Sequence, residues 1–188
     1  MVNKVKEKLQ DVENGVLWKS LAMSKVNNED FYQTPIDAIE LILPHIEKFH
    51  TIWEISCGNG NIVKTCKKAG HSVYGTDILQ GINQNFLTYR PRFKWDLIFT
   101  NPPFSLKYEF LAKCYTYEKP FILLLPLPCL GYLNIAKLVK KHGSMTIMVP
   151  PRKIKYIDKE GKQENPHFAS AFFAWKVFPE KDNKIMFL

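Results

Sequence analysis

The sequence predicts an α/β fold: a mainly parallel sheet, covered by helices on both faces, that finishes in an antiparallel β-hairpin and carries an N-terminal helical arm. Three observations predict it. Strand-like and helix-like segments alternate from residue 51 to residue 149, the pattern that parallel strands joined by crossover helices produce. The last two apolar runs, Met145–Val149 and Ala169–Val177, are separated by about twenty polar, basic residues without a helical pattern, so they most simply pair antiparallel. A glycine turn, Cys57-Gly58-Asn59-Gly60, joins the first strand to the helix after it. A ligand can approach the backbone closely at such a turn.

Each element follows in order. In residues 1–30, Val2, Val5, Leu9 and Val12 recur at helical spacing, Asn14-Gly15 breaks the run, and Val16–Met23 resumes it. This is the helical arm, and residues 31–188 are then one larger domain. Thr34-Pro35-Ile36-Asp37 reads as a helix start, with Thr34 as the cap, Pro35 in the first turn and Asp37 facing the positive end of the dipole. Pro44 interrupts that helix. Thr51–Ser56 is a strand, Asn61–Ala69 a helix closed by Gly70, and Ser72–Thr76 a strand. A third short strand is expected around Ile82–Leu87, then the strand Trp95–Thr100. Leu106–Tyr115 is helix, Phe121–Leu125 strand and Tyr132–His142 helix. No internal repeat, low-complexity tract or linker interrupts the series.

A chain of 188 residues suits one domain with a sizeable core, and 46% hydrophobic with 13% aromatic content excludes a disordered chain. The longest apolar run, Phe121–Leu125, falls far short of the roughly 18 residues of a membrane span. The opening MVNKVKEKLQ lacks the apolar centre of a signal peptide. A cytoplasmic, intracellular protein is expected. Cys57, Cys66, Cys114 and Cys129 form no C-x-x-C pair, so no metal site is expected and the thiols read as reduced. The formal net charge is +8, and Lys137, Lys140, Lys141, Arg152, Lys153 and Lys155 crowd a stretch without an acid. Such a surface suits a polyanion, most simply nucleic acid.

The glycine turn follows Glu54, and the second strand ends at Asp77, 23 residues later. An acid there can accept hydrogen bonds from both hydroxyls of a ribose. A dinucleotide fingerprint requires a third glycine at position 63, which is Val63. Glu54 would also sit awkwardly beside a pyrophosphate. An adenosine ligand with a cationic tail fits better, and S-adenosylmethionine carries both an ammonium group and a sulfonium.

The strand Trp95–Thr100 ends in Asn101-Pro102-Pro103-Phe104. Paired prolines stop a strand and leave stiff backbone carbonyls without N–H groups. Together with Glu54–Gly60 and Asp77, this tetrapeptide resembles the class I S-adenosylmethionine-dependent methyltransferases, and among them the amino-group methyltransferases. Phe31-Tyr32-Gln33-Thr34-Pro35 resembles the segment that precedes the glycine loop in phage-type DNA adenine methyltransferases, including those of mobile elements, and touches the methionine end of the cofactor. The resemblance implies a Rossmann-like fold and DNA adenine-N6 methylation. It places the cofactor at Tyr32, Thr34, Glu54, Cys57, Gly58, Gly60, Asp77, Ile78, Asn85 and Phe86. Asn85 stands where many relatives carry an acid for the cofactor's adenine, and Phe86 either packs on that adenine or fills core. By the same resemblance the Asn101 side-chain oxygen and the Pro102 carbonyl bind the target amine, Pro103 stiffens the turn, and Phe104 stacks on the base.

No inserted recognition domain fits between Asp77 and Asn101 or after the last strand. The candidate readers are the arm and the loop Pro150–Phe168, where Arg152, Lys153 and Lys155 suit phosphates. Lys107, beside the tetrapeptide, is expected to contact nucleic acid, and Tyr156, His167 and Phe168 either stack on an extruded base or pack the hairpin. An RNA adenine or guanine amino-methyltransferase is the nearest alternative. A protein glutamine methyltransferase and a silent nucleic-acid-binding subunit are weaker ones.

Overall fold

The computed structural model describes residues 30, 32–78, 84–143, 145–178 and 184–188. Apart from Asp30, the arm expected over 1–30 lies outside the described residues. Among those described, the strands in chain order are β1 (Thr51–Glu54), β2 (Ser72–Gly75), β3 (Leu97–Thr100), β4 (Phe121–Pro126), β5 (Thr146–Val149), β6 (Tyr156–Ile157), β7 (Gln163–Glu164), β8 (Ser170–Trp175) and β9 (Ile185–Phe187). The helices are α1 (Ile36–Glu40), α2 (Leu43–Ile46), α3 (Asn61–Lys68), α4 (Lys107–Thr116) and α5 (Leu133–His142).

Seven strands make one sheet in the order β2-β1-β3-β4-β8-β5-β9. β2, β1, β3 and β4 are mutually parallel. β8 lies antiparallel between β4 and β5, so the expected hairpin is present and β5 points the same way as β3. The residues that follow β1, β2, β3, β4 and β5 therefore all leave the sheet at one edge, where ligands sit in open α/β sheets.

Side-chain alternation splits the core in two. On β4, Phe121, Leu123 and Leu125 face a cluster that includes Leu111 of α4 and Leu138 of α5, while Ile122 and Leu124 face one with Ile39 of α1 and Ile62 of α3. Every residue of β3 and β4 is buried, as strands covered on both faces require. Each large apolar side chain so buried contributes roughly 1.5–3 kcal/mol.

The structure departs from the sequence reading at four places. The described part of Ile82–Leu87 is not a strand: Asn85 Oδ1 accepts the Leu87 N–H at 2.9 Å and starts a turn. The buried Lys113 amine fastens that turn by donating to the Phe86 carbonyl and, at 3.3 Å, to the Tyr89 carbonyl. Thr34 does not cap α1; Pro35 holds the N-cap position with no side-chain hydrogen bond, and Thr34 instead is buried with its carbonyl accepting from Asn61 Nδ2 at 2.9 Å. The loop after β5 contains the ribbon β6–β7. Finally, β9 adds an edge strand parallel to β5, in a segment that reads as a tail by sequence.

Candidate active site

β1 ends at Glu54, whose carboxyl is almost fully buried. Its Oε1 accepts from the Ser56 N–H at 3.1 Å and from the Thr100 hydroxyl. Its Oε2 is buried with no hydrogen-bond partner. Burial is the main cause that pushes this carboxyl from 4.5 up to about 8, with Asp77 adding to the rise and the Thr100 and Ser56 hydrogen bonds opposing it. A cation beside Oε2 would offset that desolvation. The Cys57 thiol next to it is pushed up to about 12, chiefly by burial, so it is a neutral packing group.

The glycine turn carries two left-handed residues, Gly58 at φ 48° and Gly60 at φ 80°. Asp77 at the end of β2 accepts the Gly58 N–H through Oδ2 at 2.8 Å. This bond joins the acid and the turn into one cradle. A Cβ on Gly58 would lie 2.1 Å from Nε2 of Gln33, whose Oε1 accepts the Asn59 N–H at 3.1 Å. Gln33 thus lies across the turn. Sequence reading named its neighbours Tyr32 and Thr34 and missed it; a polar side chain between two predicted contact residues was the available signal.

β3 delivers Asn101 to the same edge. Asn101 Nδ2 donates to the Tyr32 carbonyl at 2.6 Å. A carbonyl only accepts, so this bond fixes which end of the amide is nitrogen. Asn101 Oδ1 is buried and has no partner. The Ser56 hydroxyl donates to the Asn101 carbonyl at 3.1 Å and lies 2.7 Å from the Thr100 hydroxyl. A short polar chain, Glu54–Thr100–Ser56–Asn101, therefore ties the end of β1 to the end of β3. Thr100 and Ser56 are further site residues that the sequence reading left out. Pro102 is buried and Pro103 leads into a 3-10 turn, Phe104–Leu106.

Phe104 is 8% exposed and stacks on Tyr32 with ring centroids 5.3 Å apart. Tyr156 and Phe168 close on this pair edge-on. Several expectations change here. Tyr156 is fully buried, its hydroxyl donating to Ser170 at 2.8 Å, so it packs the hairpin and presents no face to a base. Phe86 packs on Trp53 and Phe110 in the core and offers no face to a cofactor adenine. Asn85 is half-buried, and its side-chain oxygen accepts the Leu87 N–H while keeping a second lone pair. Lys107 donates to the Phe104 carbonyl at 2.7 Å, so it braces the tetrapeptide.

Arg152, Lys153, Lys155 and His167 are exposed, and Ile78 is half-buried behind Asp77. The loop that carries Arg152, Lys153, Lys155 and His167 meets the cofactor side where Gln33 and Ile157 exchange backbone hydrogen bonds of 3.0 and 2.9 Å and where Tyr156 and Phe168 pack on Tyr32. Among the described residues no cluster of His, Cys, Asp or Glu could hold a metal ion, and no helix is long and apolar enough to cross a membrane.

Residues 93–148 match the family model described as adenine-specific methyltransferase EcoRI. This stretch contains β3, the tetrapeptide and β4. A search of curated proteins finds no match. Solved structures share the architecture. A proposed class I S-adenosylmethionine-dependent methyltransferase from Listeria monocytogenes is 15% identical with a TM-score of 0.62, covering 95% of this chain and 72% of its own. A proposed RNA methyltransferase from Pyrococcus horikoshii is 15% identical with a TM-score of 0.55, covering 76% of this chain and 84% of its own. The modification subunit of a proposed type I restriction enzyme from Vibrio vulnificus is 13% identical with a TM-score of 0.51, covering 76% of this chain and 44% of its own. The chain adopts the Rossmann-like class I methyltransferase fold. Fold and family match together point to S-adenosylmethionine as the cofactor. The residues present fit it: Glu54 Oε2 lacks a partner, and the glycine turn tied to Asp77 is covered only by the Gln33 side chain among the described residues.

Proposed function

We propose that this protein methylates the exocyclic amino group of adenine in DNA, with the target base turned out of the stack. The observation that carries the reading is Asn101: a half-buried residue whose amide nitrogen is anchored and whose amide oxygen is buried without a partner. Leaving a buried acceptor unsatisfied costs about 1–3 kcal/mol. Such a cost persists where a ligand supplies the missing donor. The family match over 93–148, named for an adenine-specific methyltransferase, supports adenine as the target.

The adenine amino nitrogen is a poor nucleophile because its lone pair is delocalised into the ring. Asn101 Oδ1 and the Pro102 carbonyl accept its two N–H groups and draw the nitrogen toward tetrahedral geometry, which localises the lone pair. Both acceptors are held before substrate arrives, by the Tyr32 carbonyl and by the proline rings, so little reorganisation remains for the reaction. Bound S-adenosylmethionine supplies the electrophilic methyl group. Glu54, the glycine turn, Asp77, Tyr32, Thr34, Cys57 and Ile78 form its binding side, and Gln33 moves off the turn to admit it. Phe104 stacks on the base, which takes the place of the Tyr32 ring. The amino proton leaves after the new C–N bond has formed, so the site needs no general base.

Arg152, Lys153 and Lys155 hold phosphates beside the mouth, with His167 and Phe168 on the same loop. The test is mass analysis of nucleosides from DNA and from RNA incubated with the protein and S-adenosylmethionine. N6-methyladenine in DNA is the expected product. Methylated purines in RNA alone would transfer the reading to the RNA amino-methyltransferases, and no methylated nucleoside in either would overturn it.

A further inference from the structure

The loop Pro150–Phe168 lies against only one flank of the mouth. Tyr156 and Phe168 belong to the core half that holds α1 and α3. The opposite flank is built by the chain that leaves β4, and it has an unusual surface. Pro126 hands over to a 3-10 turn, Leu127–Gly131, and α5 begins at Leu133. Here Leu130, Tyr132 and Leu133 are 46%, 44% and 67% exposed. Ile135 and Leu138 of the same helix turn inward and anchor it. Three adjacent apolar side chains left in solvent form a patch rather than scattered exposure.

This ledge is continuous with the reactive tetrapeptide. The Lys107 amine donates to the Phe104 carbonyl at 2.7 Å and lies 5.5 Å from the centre of the Tyr132 ring. Behind the ledge, α5 shows Lys140 and Lys141 to solvent. From Lys119 to Ile157 the chain contains no acidic residue. A protein partner with an apolar knob would not need that field. A nucleic-acid strand presents both complementary features at once, phosphates for the lysines and base faces for the exposed ring and leucines.

We propose that Leu130, Tyr132 and Leu133 form a second nucleic-acid contact, a stacking ledge that supports the bases flanking the extruded one. It rests on the reading of the site as a nucleic-acid methyltransferase. The substrate strand then lies between two unlike walls: the basic loop after β5, which grips phosphates, and the ledge after β4, which takes base faces. The walls divide the binding energy by type. The loop contributes the salt-dependent part and the ledge a part that salt does not screen.

Fluorescence anisotropy with fluorescein-labelled oligonucleotides of mixed sequence, single- and double-stranded, tests this across a salt series. Tyr132→Ser with Leu133→Ser is expected to weaken binding roughly five- to hundredfold at every salt concentration and to leave the salt slope unchanged. Arg152, Lys153 and Lys155 together replaced by Ala are expected to lower the slope by up to about three. The ledge side chains are exposed, so thermal melts of the double variant should match the parent. As an independent readout, Tyr132→Trp should show tryptophan emission, relative to the unsubstituted protein, that is quenched when oligonucleotide is added. Unchanged affinity in the double variant, or no added quenching in Tyr132→Trp, would overturn the ledge while the methylation reading stands. If the parent protein binds neither oligonucleotide, both readings fall.

Discussion

Two strand ends, that of β1 and that of β3, meet at the carboxyl edge and are built alike up to a point. Each finishes a buried, hydrogen-bonded strand with a side-chain acceptor that has no partner, Glu54 Oε2 in one case and Asn101 Oδ1 in the other. They differ in chemistry. Glu54 is a carboxyl that burial keeps protonated to about pH 8, so its charge depends on what arrives beside it. Asn101 is an amide, neutral at every accessible pH and fixed by the Tyr32 carbonyl. A carboxyl suits a permanent cation. An amide oxygen suits a neutral amine whose protons must be held without being removed. The difference separates a side that recognises charge from a side that shapes a nucleophile.

The sharpest way to break this division is Asn101→Ala. Methyl transfer should fall by a hundredfold or more, the usual consequence of losing one oriented acceptor or donor at a reacting group. S-adenosylmethionine affinity measured by calorimetry should stay near the parent value. Near-normal turnover, or an equal loss of cofactor affinity, would erase the distinction between the two ends.

Asp77→Ala probes the other end. It removes the partner of the Gly58 N–H and the expected ribose acceptor together. Cofactor affinity should drop by about 1.5–3 kcal/mol, the range for a hydrogen bond to a charged group. Oligonucleotide binding without cofactor should not change. Unaltered cofactor affinity would mean that the acid only shapes the turn.

Gly58→Ala tests the cradle with a smaller effect. The backbone there is left-handed at φ 48°, which costs a residue with a Cβ about 1–2 kcal/mol, and the added carbon would displace the Gln33 amide. Thermal denaturation should register the strain. A variant as stable as the parent would show that the turn relaxes freely.

How far these ends were legible in the sequence follows from what each signal encodes. Periodicity and turn residues are local, and they located β1, β3, the glycine turn and the tetrapeptide. The antiparallel pairing of β8 with β5 was legible too, because a polar link without a helix leaves few other pairings; its insertion between β4 and β5 was not. Tyr156 was not, since a tyrosine in a basic loop reads equally as stacking or packing; its hydroxyl partner Ser170 is 14 residues away. Phe86 posed the same ambiguity, settled only by its contact with Trp53. Asn85 also has a role that the sequence did not mark, a turn bond from the Leu87 N–H, which any Asn in a loop can make. β9 was missed because its Ile185-Met186-Phe187 is short and pairs with β5 far back along the chain. Ser56 and Thr100 have functions set by tertiary contacts, so no local pattern marked them, whereas Gln33 had only its place between Tyr32 and Thr34 to mark it.

The buried Glu54 carboxyl makes both folding and cofactor binding depend on pH. Between about 4.5 and 8 the folded protein keeps a proton on Glu54 that the unfolded chain has released. Stability from this group is therefore complete below the lower value and is lost as pH rises through the upper one. Melting temperature should decline over that window, and Glu54→Gln, which keeps the shape and cannot titrate, should flatten the decline. Binding a cation reverses the preference, because it favours the ionised carboxylate. Cofactor affinity should then rise with pH by roughly tenfold per unit below pH 8 and level off above it. Calorimetry in buffers of different ionisation enthalpy should show about one proton released on binding near neutral pH. Glu54→Gln should bind without that release. Proton release that persists in Glu54→Gln would assign the titration to another group and leave the buried carboxyl a structural part of the strand end.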